Sequence, residues 1–317
     1  RPRATLYAVY DFLEKECGVG FFEDGDHIPK KTTLRFGPID RTEKPYFTRR
    51  VAPSPCAYTY TAQFWGVEEW KTQVDYMAKR KLNTFYWTLG GGTVMARTWK
   101  KLGYETPEPT EWDLWHEQLQ KEVRAYAEAL DMDLVAQLWP GGVTEDFAKA
   151  HPEIQYLTFR WLDSPLSYFV HPSDPAFKKI MCAYIKEWQA TYGSVRIWDQ
   201  SPWSENYAPQ PGQAEIYQDA QIAWAKAFSG ALKKFAPDAK LFMSSWFMQS
   251  MGWPATVCRQ FFNALTTDQF IVADVWCDAT PMYEKGGCFE GRGEWLFGVI
   301  QTMGCVDHIH GDLLDLI

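Results

Sequence analysis

The stretch VRIWDQSPWSEN, residues 195–206, decides how this chain is read. Its first five residues form an apolar, β-prone run. The chain then passes directly into a polar, aromatic-rich loop that carries carboxylates at both ends, Asp199 and Glu205. A short apolar run bounded by turn residues reads as a buried strand. The pattern recurs on both sides: CAYTY (56–60), NTFYWTL (83–89) running into Gly90-Gly91-Gly92, DLVAQLW (133–139) running into Pro140-Gly141-Gly142, KLFMSSW (240–246), FIVADVW (270–276) and WLFGVIQT (295–302). Longer segments of helical period lie between them. Residues 67–80 align Trp70, Val74 and Met77, and further helices are expected over 111–130, 213–235 and 254–265. Pro175 opens a helix that runs to about Tyr192, where Gly193 stops it.

Strands alternating with helices predict a parallel sheet. Seven strand candidates follow residue 55, a number that suits either an open doubly wound sheet or a barrel. The strand ends favour the barrel. Several strands finish in glycine or chemically active residues, at Gly90, Pro140, Asp199 through Glu205, Trp246 and Asp278, and barrel enzymes gather their chemistry at the C-terminal ends of several strands. A dinucleotide fold would need GxGxxG after its first strand, and none is there. The expected fold is therefore α/β: a (β/α)8 TIM-type barrel, incomplete at the C-terminus, over residues 51–317. Residues 1–50 read as the end of a small α/β domain with a connector. Leu6, Val9, Tyr10 and Leu13 share a helix face, Gly18 caps that helix, Gly20-Phe21-Phe22 is a short strand, and Asp24-Gly25-Asp26 is a turn.

Composition narrows the function classes. The net charge of -8 over 317 residues argues against a nucleic-acid partner, which needs clustered cations. No run of 18 apolar residues suggests a membrane span. The seven cysteines show no CxxC pair and no zinc spacing, and their odd number gives no disulfide framework. Residues 1–5 lead straight into a helix, with no signal-peptide pattern and no initial Met, so the chain reads as a piece of a longer one. Aromatic residues make up 16% of the chain. They suit either a large core or a surface on which the apolar faces of sugar rings stack.

Glu205, between Trp203 and Asn206, is the best catalytic candidate. A carboxyl on a pocket wall has its pKa raised by desolvation and can then act as a general acid. The competing reading is a solvated loop residue. Asp278 suits either a sugar-hydroxyl acceptor or a turn before Ala279-Thr280-Pro281. Asp163 reads as structural. Asp307, His308, His310 and Asp312 match no metal signature, and GxSxG, HExxH and P-loop patterns are absent.

In order and content these segments resemble the family 89 glycoside hydrolases, the α-N-acetylglucosaminidases. The likeness rests on TLYAVYDFLEKECGVGFFEDGD, on PCAYTYTAQFWGVEEWKTQVDYMAKRKLNTFYWTLG, and on residues 238–253 and 270–304. It implies a retaining, cofactor-free and metal-free enzyme that removes terminal α-linked N-acetylglucosamine from a carbohydrate partner, in a lysosomal or exported setting. The family's Asn-Glu pair at the end of barrel strand four falls on Ser204 and Glu205, so Glu205 is the implied acid/base and Ser204 is a departure. The same matching places Cys56, Tyr60, Trp161, Trp246 and Trp276 in the pocket, with Asp278 where the family usually has Glu. The family's nucleophilic Glu has no match in residues 206–317 and is expected beyond Ile317. Two alternatives stand beside this. One is an α-glucuronidase-like specificity, with Arg160 or Arg196 meeting a uronic acid. The other is a non-catalytic carbohydrate-binding protein on a decayed scaffold.

Overall fold

A computed structural model describes residues 2–52, 62–86, 91–160, 163–203, 214–250, 252–275, 277, 281–283 and 292–297. The chain divides into two compact units. In the first, residues 1–87 with 118–134, α1 (Pro2–Lys15) precedes an antiparallel hairpin, β1 (Gly20–Phe22) and β2 (Gly25–His27). Then come β3 (Val51–Ala52), α2 (Val67–Lys79) and β4 (Thr84–Tyr86). The second unit, residues 88–117 with 135–317, carries α3 (Gly91–Leu102) and the first turns of α4 (Glu111–Ala129). It continues through most of β5 (Asp133–Gln137), β6 (Gly142–Val143), α5 (Glu145–Ala150), β7 (Tyr156–Phe159), β8 (Ser167–Val170) and α6 (Pro175–Tyr192). It ends with β9 (Ile197–Asp199), α7 (Ala214–Phe235), β10 (Lys240–Ser244), α8 (Trp246–Ser250), α9 (Ala255–Ala264), β11 (Phe270–Asp274) and β12 (Glu294–Phe297).

The main sheet has seven strands in the order β12-β11-β10-β9-β5-β4-β3. Each strand lies beside the next one in the chain, apart from β6 to β8, which form a separate antiparallel sheet in the order β6-β8-β7. A doubly wound sheet reverses its strand order at a switch point. This one never reverses. Steady progression in one direction, with helices between parallel strands, is the winding of a (β/α)8 barrel with seven strands in place. The strand expected at 56–60 lies outside the described residues, and β3 is the first described strand of the sheet.

Local chemistry explains most element ends. Gly18 takes a φ of 76° behind α1, where the backbone N–H of Val19 donates to the Leu13 carbonyl at 3.0 Å. On α2 the helical period puts Trp70, Val74 and Met77 inward, at 1%, 0% and 0% exposure. Each of these buried side chains stabilises the fold by about 1.5–3 kcal/mol. The Gly66 N–H donates to Glu69 Oε2 at 3.1 Å and so opens that helix. Asp174 caps α6, accepting from the Ala176 N–H at 2.8 Å ahead of Pro175, and Gly193 ends it at a φ of 85°.

Two features depart from the sequence pattern. The glycines after β4 open a helix, α3, where the sequence suggests only a loop. A Cβ on Gly92 would lie 2.1 Å from Asp113 Oδ1, so a larger residue there would displace the Asp113 carboxyl. Asp113 is itself engaged at the start of α4, accepting from the Thr110 N–H at 2.9 Å. The second departure is the β6-β8-β7 sheet between β5 and α6. Its strands of two to four residues are too short to leave a periodic signal.

Candidate active site at the strand C-termini

The helix side of the sheet is fixed by ring contacts. Trp198 on β9 meets Trp188 of α6 at 5.0 Å, and Phe270 on β11 meets Phe262 of α9 at 5.7 Å. Side chains alternate along a strand, so Asp199 projects from the opposite face. Gln137 and Phe242 are its register partners on β5 and β10 and share that face. A carboxyl and an amide thus stand side by side at the C-terminal edge of the sheet, away from the helices. Asp199 is buried at 8% exposure.

The end of β9 is held on both sides. The Leu138 N–H donates to the Asp199 carbonyl at 2.9 Å, and the Gln200 N–H donates to the Phe242 carbonyl at 3.1 Å. The Ser244 N–H donates to Ser201 Oγ at 2.9 Å. Gln200 Oε1 is buried and has no hydrogen-bond partner among the described residues.

Aromatic contacts take over past Ser201. Trp203 is buried, with its ring 5.1 Å from Phe159 of β7 and 6.0 Å from Phe169 of β8. Phe159 also meets Tyr217 of α7, edge to face, at 4.7 Å. The Tyr217 hydroxyl donates to the Thr158 carbonyl. Trp203, just before the stretch 204–213, and Tyr217, in the first turn of the helix after it, therefore meet one phenyl ring.

A second carboxylate organises the neighbouring strand ends. Asp274 closes β11 and is fully buried. It accepts from the Ser245 hydroxyl at 2.9 Å and from the backbone N–H groups of Met282 at 2.9 Å and Tyr283 at 3.4 Å. Burial pushes its pKa up, and these donors with the Cys277 thiol pull it partly back. Ser245 Oγ in turn accepts from the Val275 N–H at 3.1 Å, and the Gln249 side-chain amide donates to the Val275 carbonyl at 2.8 Å. This lattice fixes the start of α8. Its first residue, Trp246, is half-buried, and its N–H donates to Ser244 Oγ at 3.2 Å.

Of the residues assigned to the site by sequence, Trp246 is described, at the C-terminal end of β10. Glu205, Ser204, Cys56, Tyr60, Trp161, Trp276 and Asp278 lie outside the described residues, as do Asp307, His308, His310 and Asp312. Asp163 is exposed. Arg160 is exposed at the end of β7, and Arg196 is exposed at the N-terminal end of β9, opposite the edge that carries Asp199. Among the described residues no group of three or more His, Cys, Asp or Glu could hold a metal ion, and no helix is long and apolar enough to cross a membrane. Sequence reasoning passed over Gln137, Phe159, Tyr217, Ser245 and Asp274. The period of two in DLVAQ and VRIWD could have paired Gln137 with Asp199, because each closes its strand.

Comparison with known proteins gives a consistent family. The family model of the alpha-N-acetylglucosaminidase (NAGLU) TIM-barrel domain matches residues 50–113 and 104–316. Human alpha-N-acetylglucosaminidase is 19% identical over 322 residues, covering 91% of this chain and 43% of that protein. A family 89 glycoside hydrolase from Clostridium perfringens, solved with 2-acetamido-1,2-dideoxynojirmycin, superposes with a TM-score of 0.78 at 17% identity, covering 92% of this chain and 35% of that one. A variant of the Clostridium perfringens enzyme with two Glu replaced by Gln, in complex with its substrate GlcNAc-alpha-1,4-galactose, superposes with a TM-score of 0.73 at 17% identity, covering 88% of this chain and 34% of that one. The chain thus spans less than half the length of each of these relatives.

Proposed function

This chain belongs to the alpha-N-acetylglucosaminidase TIM-barrel family, and we propose that it forms the acid/base half of a glycoside hydrolase site that takes a terminal α-linked N-acetylglucosamine. One observation carries the reading. Counted from β3, β9 is the fourth strand of the sheet, and its C-terminal end, beside Gln137 and Asp199, leads directly into Ser204 and Glu205. In this reading Glu205 is the general acid/base. Trp246, Trp161 and Trp276 wall the pocket, with Cys56, Tyr60, Ser204 and Asp278 at its polar edges. The gathering of Asp199, Gln137 and Trp246 at one edge of the sheet supports a site that stacks an apolar sugar face and hydrogen-bonds its hydroxyls.

The chemistry follows from two carboxyl groups. The protonated Glu205 gives its proton to the glycosidic oxygen. The bond from C1 to that oxygen breaks, and its electron pair stays with the departing alcohol. An oxygen of the second carboxylate bonds to C1 from the opposite face. Glu205, now ionised, takes a proton from water, the water oxygen bonds to C1, and the second carboxylate is released. Net, one glycoside and one water become one sugar and one alcohol. By the family resemblance the second carboxylate is a Glu, for which residues 206–317 offer no match. Arg196 at the far end of β9 and Arg160 at the surface give no support to a uronic-acid pocket. The family setting supports a lysosomal or exported location.

The test is hydrolysis of aryl α-N-acetylglucosaminide by a polypeptide that carries this chain together with the second Glu. Glu205→Gln is expected to lower kcat/KM by about 10²–10⁴-fold. Unchanged turnover in that variant, or cleavage of an aryl α-glucuronide in preference, would reject the assignment.

A further inference from the structure

The first turns of α4 carry two tryptophans that burial does not account for. Trp112 is 45% exposed and Trp115 is 36% exposed. They lie one helical turn apart, and their indoles form a tilted stack with ring centroids 5.0 Å apart and planes 32° apart. His116 is buried and contacts both rings, Trp112 edge to face at 4.3 Å and Trp115 at 4.7 Å. That buried ring holds the pair from the protein side while much of the indole surface faces solvent. Large apolar side chains kept together at a surface mark a binding site.

The pair stands near the strand C-termini. Asp113, between the two tryptophans in sequence, lies against Gly92 at the start of α3. A Cβ on the neighbouring Gly91 would lie 3.3 Å from the Tyr184 hydroxyl of α6, and that hydroxyl donates to the Gln137 carbonyl at 3.2 Å. Gln137 closes β5 beside Asp199. A short run of contacts therefore links the indoles to the edge of the sheet where the carboxyl and the amide gather. Charge around them has one prevailing sign. Residues 102–120 contain Glu105, Glu108, Glu111, Asp113 and Glu117 and no Lys or Arg. Arg97 offsets Glu117 at 2.7 Å and Lys100 offsets Glu108 at 3.6 Å, while Asp113 meets the neutral Thr110 hydroxyl at 2.6 Å. The balance stays negative. At physiological salt, charges within about 8 Å still act on one another, so an anionic ligand is repelled here and a neutral one is not.

We propose that Trp112 and Trp115 form a stacking platform for the sugar units behind the terminal one, and that the platform takes a neutral oligosaccharide. The inference rests on the glycosidase reading made above and adds where the rest of the glycan lies. An indole offers a flat apolar face to the C–H side of a sugar ring, and the surrounding carboxylates accept hydrogen bonds from its hydroxyls. Because both rings are already packed on His116, little side-chain freedom is lost on binding. The platform touches no reacting atom. It holds substrate and transition state alike, so its loss raises KM for long substrates and leaves kcat unchanged.

The experiment uses the polypeptide that carries this chain together with the second Glu. Its substrates are an aryl α-N-acetylglucosaminide, a neutral N-acetyllactosamine tetrasaccharide capped with α-linked N-acetylglucosamine, and the O-sulfated form of that capped chain. Trp115→Ala is expected to raise KM for the neutral capped chain about tenfold, the worth of one good aromatic contact, and to change the aryl glycoside by less than about twofold. Trp112→Ala should act in the same direction, and Trp115→Tyr, which keeps a flat ring, should retain most of the binding. The sulfated chain should show a KM about tenfold above the neutral one at low salt, with the gap closing as salt rises. A titration with the uncapped neutral tetrasaccharide reads the platform without hydrolysis. It should quench the intrinsic tryptophan fluorescence of the unaltered protein, and the variant carrying both Trp112→Ala and Trp115→Ala should lose that response. An unchanged KM on the capped chain in both single variants, or an equal rise on the aryl glycoside, would overturn the platform. A sulfated chain bound as tightly as the neutral one at low salt would overturn the choice of ligand. No quenching by the uncapped chain would overturn the inference and leave the indoles to a protein partner. Quenching without cleavage of any substrate would instead remove the glycosidase reading and leave the platform standing.

Discussion

Two carboxylates show how differently the two ends of this chain use charge. Asp11 on α1 sits among cations. Lys81 and Arg41 each donate to it at 2.8 Å, and Lys15 lies 3.2 Å away. Asp274 at the end of β11 meets a hydroxyl, a thiol and backbone N–H groups, all of them neutral. The Lys81 hydrogen bond, with those of Lys15 and Arg41, pulls the Asp11 pKa down to about 2, while burial pushes that of Asp274 up. Ion pairs therefore hold the start of the chain at its surface, and dipoles hold a buried charge where the strands end. Surface pairs are individually weak and respond to salt. Buried dipole networks cost more to break, because each orphaned group stays away from water.

The largest effect is expected from Asp274→Ala. It strands the Ser245 hydroxyl and the Met282 N–H in the interior and should cost about 3 kcal/mol in denaturant unfolding. An effect below about 1 kcal/mol would mean that water reaches those groups. Ser245→Ala removes one donor to Asp274 and the acceptor for the Val275 N–H, for an expected loss of about 1–2 kcal/mol. Asp11→Asn should cost less, about 1 kcal/mol at pH 7 and low salt, since its cationic partners are partly exposed.

The two sites respond to acid with opposite sign. A depressed carboxyl contributes stability that is complete above its unfolded value of about 3.8 and is lost as pH falls through about 2, so the Asp11→Asn deficit should vanish in that window. Asp274 has a raised value in the folded state. The folded protein holds that proton more tightly, and acidification towards the ordinary carboxylate range relieves its burial cost. The Asp274→Asn chain lacks that relief, so its deficit should widen as pH falls. Salt gives the smallest difference. Raising it to about 1 M, where screening acts over roughly 3 Å, should shrink the Asp11→Asn effect and leave Asp274→Ala unchanged. Equal salt sensitivity at the two sites would dissolve the contrast.

Legibility in the sequence followed the range of the forces involved. Helix α6 could be read to its ends because Asp174, Pro175 and Gly193 act on their immediate neighbours. The winding could be read because seven apolar runs of similar length recur in order. Helix α3 could not, since its opening glycines argue for a loop, and the side chains that approach them, Asp113 and Tyr184, arrive from elsewhere. At β11 the sequence drew attention to Asp278, whereas the described carboxylate with a defined role is Asp274. Nothing in ADVWCD marks Asp274, because its partners, the Ser245 hydroxyl and the amides of residues 282 and 283, meet it only in space. Trp246 reads as the end of a strand and is in fact the first residue of α8, turned there by the Ser244 hydroxyl.

The order of residues alone determined a singly wound parallel sheet and the positions of its main helices, since these depend on period, capping and side-chain size. Only the folded chain decided that Phe159 would meet Trp203 and Tyr217, residues 44 and 58 positions further on, and that Asp274 would be the carboxylate its neighbours satisfy. Those outcomes depend on which surfaces come together when the layers close, and side chains so far apart in sequence carry no local signal of a partner.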